Sequence, residues 1–155
     1  MSTHERATFS RGREVIEHAV RHLSRVRDAL SELRAQNDDG QRLAMFLDSV
    51  EVEQRNLLGS LVRLLDHGAT EALETYAQYN VEMPTDVMPP GEELLTTLAV
   101  LQWLTEQNGY VRTTFAELAE KGDSEEASRV FASIAQQAEA QDRRLSQEYQ
   151  GAADL

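Results

Sequence analysis

Few residues in this chain have types and spacings that invite chemistry. His18 and His22 stand four apart with Glu14 and Glu17 nearby, a spacing that suits two metal ligands on one helical face. Both lie off the apolar stripe of their segment, so they are expected at the surface. Arg27, Gln54, Asn108 and Asp142 fall near the centres of apolar stripes, counting about 100° per residue. Four polar groups facing a core must find partners, or each costs about 1–3 kcal/mol. An Arg27–Asp142 pair flanked by Gln54 and Asn108 would satisfy that demand and form a buried structural layer. The alternative is that the stripes rotate and carry some of these side chains to solvent at a bundle edge. Trp103 and Tyr110 are seven apart and point away from the stripe of their helix, which makes them interface candidates. Either a second subunit or the segment holding Tyr76, Tyr79 and Met83 is expected to cover them. No nucleophile elbow, phosphate-cradling glycine loop or zincin pattern is present, so no catalytic residue is assigned.

The elements that must position these residues are helices. Apolar residues three and four apart mark four long segments. The first runs from about Ser10 to Gln36 on Ile16, Ala19, Val20, Leu23, Val26, Leu30 and Leu33, and Asn37–Gly40 stops it. The second, about 41–67, uses Leu43, Phe46, Leu47, Val50, Leu57, Leu61, Leu64 and Leu65 and ends at Gly68. The third, about 91–121, follows Pro89-Pro90-Gly91 on Leu94, Leu98, Leu101, Leu104, Val111, Phe115 and Leu118. The fourth, about 124–150, is capped by Ser124 and uses Val130, Phe131, Ile134, Ala135, Ala138, Leu145 and Tyr149. Nothing sustains an alternation of period two, so no strands are expected.

Two connections are short, which makes their helices antiparallel neighbours. The crossover, 68–90, is long enough to travel back along the second helix, with a short helix over Thr70–Tyr79 and a Pro-rich extended remainder. The expected fold is therefore all-α: a single domain over 1–155, an antiparallel four-helix bundle of two helical hairpins joined by a long crossover. A faint internal repeat agrees. A shift of 85 lays Leu30-Ser-Glu-Leu33 on Phe115-Ala-Glu-Leu118, Ile16 on Leu101, Val26 on Val111, Phe46 on Phe131 and Val50 on Ala135.

Hairpin, crossover, hairpin, together with Phe131-Ala-Ser-Ile-Ala-Gln-Gln-Ala-Glu139-Ala-Gln-Asp142, resembles the ferritin-like superfamily and especially its rubrerythrin-type members with degenerate sites. The resemblance covers about 10–150. The family's fourth helix ends in Glu-x-x-His, and Asp142 stands here in place of the His. The resemblance implies a di-iron carboxylate centre, with a Glu from two helices and Glu-x-x-His from the other two. Glu139 and Asp142 are the carboxylates at matching places. Gln54 and Leu57 occupy the corresponding places in the second helix, with Glu53 and Asn56 as the other register. Asn108 and Leu23 stand where the remaining ligands belong. Glu53, Glu139 and Asp142 are thus the metal candidates, a poor set for two hard cations.

The bulk numbers narrow the rest. A net charge of −12 disfavours nucleic acid. The basic cluster Arg6, Arg11, Arg13, Arg21, Arg25 and Arg27 is interleaved with Glu5, Glu14 and Glu17 and reads as a solvated face. There is no cysteine, no secretory leader pattern and no membrane-length apolar run, so a cytoplasmic protein is expected. The reading that follows is a non-enzymatic, homo-oligomeric or partner-binding bundle without cofactor. The alternative is a ferritin-like metalloprotein handling iron or peroxide through an irregular carboxylate site.

Overall fold

The computed structural model describes residues 9–36, 41–68, 70–74, 76–78, 87–91, 96–122 and 124–153. Within them every regular element is a helix but for one short ribbon. The elements run β1 (Phe9–Arg11), α1 (Gly12–Gln36), α2 (Gln41–His67), α3 (Thr70–Glu74), β2 (Tyr76–Gln78), α4 (Thr97–Lys121) and α5 (Glu125–Ala153).

The ribbon corrects the expectation of no strands. β1 and β2 pair antiparallel, Phe9 with Gln78, Ser10 with Ala77 and Arg11 with Tyr76. Three-residue strands are too short to show a period in sequence, and only the long-range pairing makes them strands. The ribbon ties the start of α1 to the crossover, which also carries α3. Gly12 lets that junction close: a Cβ there would lie 1.9 Å from the Ala72 carbonyl oxygen. Arg11 reinforces it with a 2.5 Å ion pair to Glu74.

Helix boundaries follow local chemistry. Ser124 caps α5 by accepting the Ala127 amide at 3.1 Å. α4 begins later than expected, at Thr97, because Thr96 is its N-cap and accepts the Ala99 amide at 3.0 Å. Leu94 of the expected stripe lies outside the described residues, and Leu98 is 43% exposed rather than buried. The buried face of α4 is wider and rotated: Val100, Trp103, Gln107 and Thr114 are buried beside Leu101, Leu104, Asn108, Val111, Phe115 and Leu118.

The apolar core falls into two clusters. One joins Val15–Leu23 of α1, Leu57–Leu61 of α2, Ala72 and Leu73 of α3, Val111–Leu118 of α4 and Ala127–Ala138 of α5. Phe115 and Phe131 pack at its centre with ring centroids 5.9 Å apart. The other joins Val26–Leu30, Leu43–Val50, Val100–Leu104 and Leu145, with Val87 and Tyr149 against it. Partners along α2 and α5 occur in opposite order: Ser49 with Glu148, Glu53 with Arg144, Gln54 with Gln141, Asn56 with Gln137. No helix among the described residues is long and apolar enough to cross a membrane.

Candidate functional site, a polar layer between two apolar cores

On α2, α4 and α5 the two clusters are separated at one level, and polar residues fill the gap: Gln54 between Val50 and Leu57, Gln107 and Asn108 between Leu104 and Val111, Gln141 and Asp142 between Ala138 and Leu145; on α1, His22 stands beside Leu23, the last residue of the first cluster, and one turn before Val26, the first of the second. All six are buried. They are inward because they share helical faces with their apolar neighbours, three or four residues away.

Hydrogen bonds join the layer across four helices. Asn108 is the hub: its amide nitrogen donates to Gln54 Oε1 at 3.1 Å and to Asp142 Oδ1 at 3.3 Å. Gln141 also donates to Gln54 Oε1. His22 Nε2 lies 3.3 Å from the Gln107 main-chain carbonyl, while its ring meets Tyr110 edge-on at 5.9 Å and 82°.

The charge of the layer is small. Burial pushes the Asp142 carboxyl up from its ordinary value; Asn108 and Arg112 pull it down, and Glu139 adds a smaller upward push. Arg112 approaches Asp142 Oδ2 at 3.7 Å, with its own side chain 41% exposed. Burial also dominates at His22, lowering its pKa; the Gln107 carbonyl opposes this and Arg25 adds to it. The imidazole is therefore held neutral.

This geometry redistributes the expected site. Gln54, Asn108 and Asp142 come together in the core. Arg27 does not: its side chain is 58% exposed, beside Asp28 at 3.7 Å. The buried face of α1 includes Val15, His22 and Ala29 at heptad spacing, so its centre lies on the His22 side and Arg27 falls at the edge. Arg112 stands in the place expected of Arg27. His22 is likewise corrected from surface to core, whereas His18 is half-buried at the margin.

Glu139 is exposed. Glu53 is held outside the layer by Arg144, whose guanidinium reaches it at 2.7, 3.1 and 3.2 Å. The expected metal candidates Glu53, Glu139 and Asp142 thus do not converge. Among the described residues no three His, Cys, Asp or Glu side chains group as a metal site. One carboxylate, one imidazole and four amides also make a poor donor set for a di-iron centre, which draws its charge compensation from several carboxylates.

Trp103 is 7% exposed and belongs to the second apolar cluster, rather than to an outward face. Val87 of the crossover packs against that cluster, while Tyr79 and Met83 lie outside the described residues. Tyr110 is half-buried, with its ring edge-on to that of His22.

His22, Gln107 and Gln141 were missed, although a signal existed. Gln107 stands three after Leu104 and four before Val111; Gln141 stands three after Ala138 and four before Leu145. His22 stands midway between Val15 and Ala29. No protein-family model, curated protein or solved structure matches the chain.

Proposed function

We propose that this chain is a non-enzymatic helical bundle of the ferritin-like kind, two helical hairpins joined by a crossover, in which a hydrogen-bonded amide layer stands where such bundles gather carboxylates around metal. The division of the core supports the topology. The early halves of α1 and α5 share one cluster with the later halves of α2 and α4, which fits two antiparallel hairpins with α2 parallel to α4. The internal repeat of 85 agrees, since it carries Ile16 of one cluster onto Leu101 of the other, and Phe46 of the second onto Phe131 of the first. That exchange of ends is what a two-fold axis across the bundle produces.

The observation that carries the functional reading is the makeup of the layer. Its one carboxylate, Asp142, already has Asn108 and Arg112 as partners, and its other members are neutral. Gathering several carboxylates without ions would raise their pKa values and strain the core. Amides remove that difficulty and serve a structural end, since a buried polar layer can fix register between helices.

The working role is then association, with itself first of all. α2 presents Met45 and Val52, 63% and 51% exposed and seven residues apart on one side. The test combines metal analysis of protein purified without chelator with solution mass. The expected outcome is no stoichiometric iron, manganese or zinc in the bundle, no ferroxidase or peroxidase activity, and a mass that is a multiple of one chain and falls in Met45→Glu/Val52→Glu. Stoichiometric metal lost in Asp142→Ala would replace this reading with a metalloprotein handling iron or peroxide.

A further inference from the structure

The layer satisfies only part of itself. His22 Nδ1, Gln107 Oε1, Asn108 Oδ1, Asp142 Oδ2 and Gln54 Nε2 are shielded from solvent and have no hydrogen-bond partner in the protein. Their residues belong to one connected set. His22 meets the Gln107 carbonyl, Asn108 is the next residue, and Asn108 bonds both Gln54 and Asp142.

The chemistry of each orphan atom follows from its neighbours. Asn108 must present its NH₂ to the Asp142 carboxylate, which leaves Oδ1 as the free atom. The Gln107 carbonyl only accepts, so His22 holds its hydrogen on Nε2 and exposes a lone pair at Nδ1. The result is four acceptors against one donor, Gln54 Nε2. Turning the Gln107 amide, whose side chain no hydrogen bond within the layer fixes, would still leave three acceptors, His22 Nδ1, Asn108 Oδ1 and Asp142 Oδ2, against the amide donors of Gln54 and Gln107.

We propose that the layer is a binding site for ordered internal water, which donates to these acceptors and accepts from Gln54 Nε2. Water is the fitting guest for three reasons. It supplies two donors per molecule. A buried water is held well by about three polar partners, and the layer leaves five polar atoms without one. It also brings no charge. Arg112 already stands 3.7 Å from Asp142 and His22 is neutral, so a metal ion would add buried charge that nothing offsets. The inference rests on the metal-free reading of the layer, and the two fail separately.

The test is magnetic relaxation dispersion of solvent ¹⁷O on the full chain after chelator treatment, with the ¹⁵N shift of the His22 side chain as second measurement. Wild type is expected to show water with a residence longer than molecular tumbling, lost in Gln54→Leu/Asn108→Leu/Asp142→Leu. His22 Nδ1 is expected to read as a hydrogen-bonded acceptor. Should the triple variant fail to fold, the His22 shift in wild type decides. No long-lived water, or a free lone pair at Nδ1, in metal-free protein overturns the water site alone. Metal that survives chelation and shifts His22 on removal overturns the metal-free reading with it.

Discussion

Asn108 of α4 and Asp142 of α5 meet at 3.3 Å between the two apolar clusters, with the Asn108 amide donating to the carboxylate. The same nitrogen reaches Gln54 of α2 at 3.1 Å, so one side chain links three helices at one level. Asn108→Leu is therefore expected to cost about 1–3 kcal/mol of stability by urea unfolding, since it strands Gln54 and Asp142 together. Asn108→Asp should be worse near neutral pH and recover on mild acidification, because adjacent carboxylates cannot both ionise comfortably.

Asp142→Ala is expected to destabilise by about 1–3 kcal/mol, because Asn108 loses an acceptor in a buried place. Arg112→Ala should cost less, under about 1 kcal/mol, since its side chain is 41% exposed and its attraction is screened. Equal losses in the two variants would mean that the ion pair, and not the amide, holds the carboxylate.

His22 carries a pH dependence of defined sign. Its folded pKa lies below the ordinary 6.5, so between the two values the unfolded chain binds more protons. Stability then rises with pH, is full above that ordinary value, and is lost as pH falls toward the folded one. Asp142 acts oppositely: its folded pKa lies above 3.8, so its contribution is full below that value and lost as pH rises through the folded one. As pH falls below 6.5, unfolding midpoints of His22→Gln should fall less than those of wild type, and as it falls toward 3.8 those of Asp142→Asn should fall more.

Trp103 sits in the second cluster at 7% exposure within one chain. Its emission should be blue-shifted from that of exposed indole and should stay so on dilution, whatever the oligomeric state. A red shift on dilution would mean that another subunit provides the cover.

Gly12→Val should destabilise by about 1–3 kcal/mol or more, as overpacking does, because a Cβ would meet the Ala72 main chain at 1.9 Å. Gly59→Ala is the control: a Cβ there meets nothing within 4 Å, and in mid-helix it should stabilise by about 0.5–1 kcal/mol.

Periodicity, caps and breakers are local, and they were legible in the residue order. The start and end of α2, the end of α4 at Lys121 and the Ser124 cap of α5 all follow from apolar spacing and turn chemistry. So does the inward placement of Gln54, Asn108 and Asp142, which stand on the stripes of their own helices. What periodicity leaves open is rotation. A stripe fixes a helical face only to within the width of one side chain, and the partner helices choose within that width. That choice put His22 in the core and Arg27 in solvent, and turned Trp103 into the second cluster. The ribbon of Phe9–Arg11 with Tyr76–Gln78 and the approach of Arg112 to Asp142 join residues far apart in the chain. Such pairings depend on how whole helices seat against one another, and no local pattern encodes them.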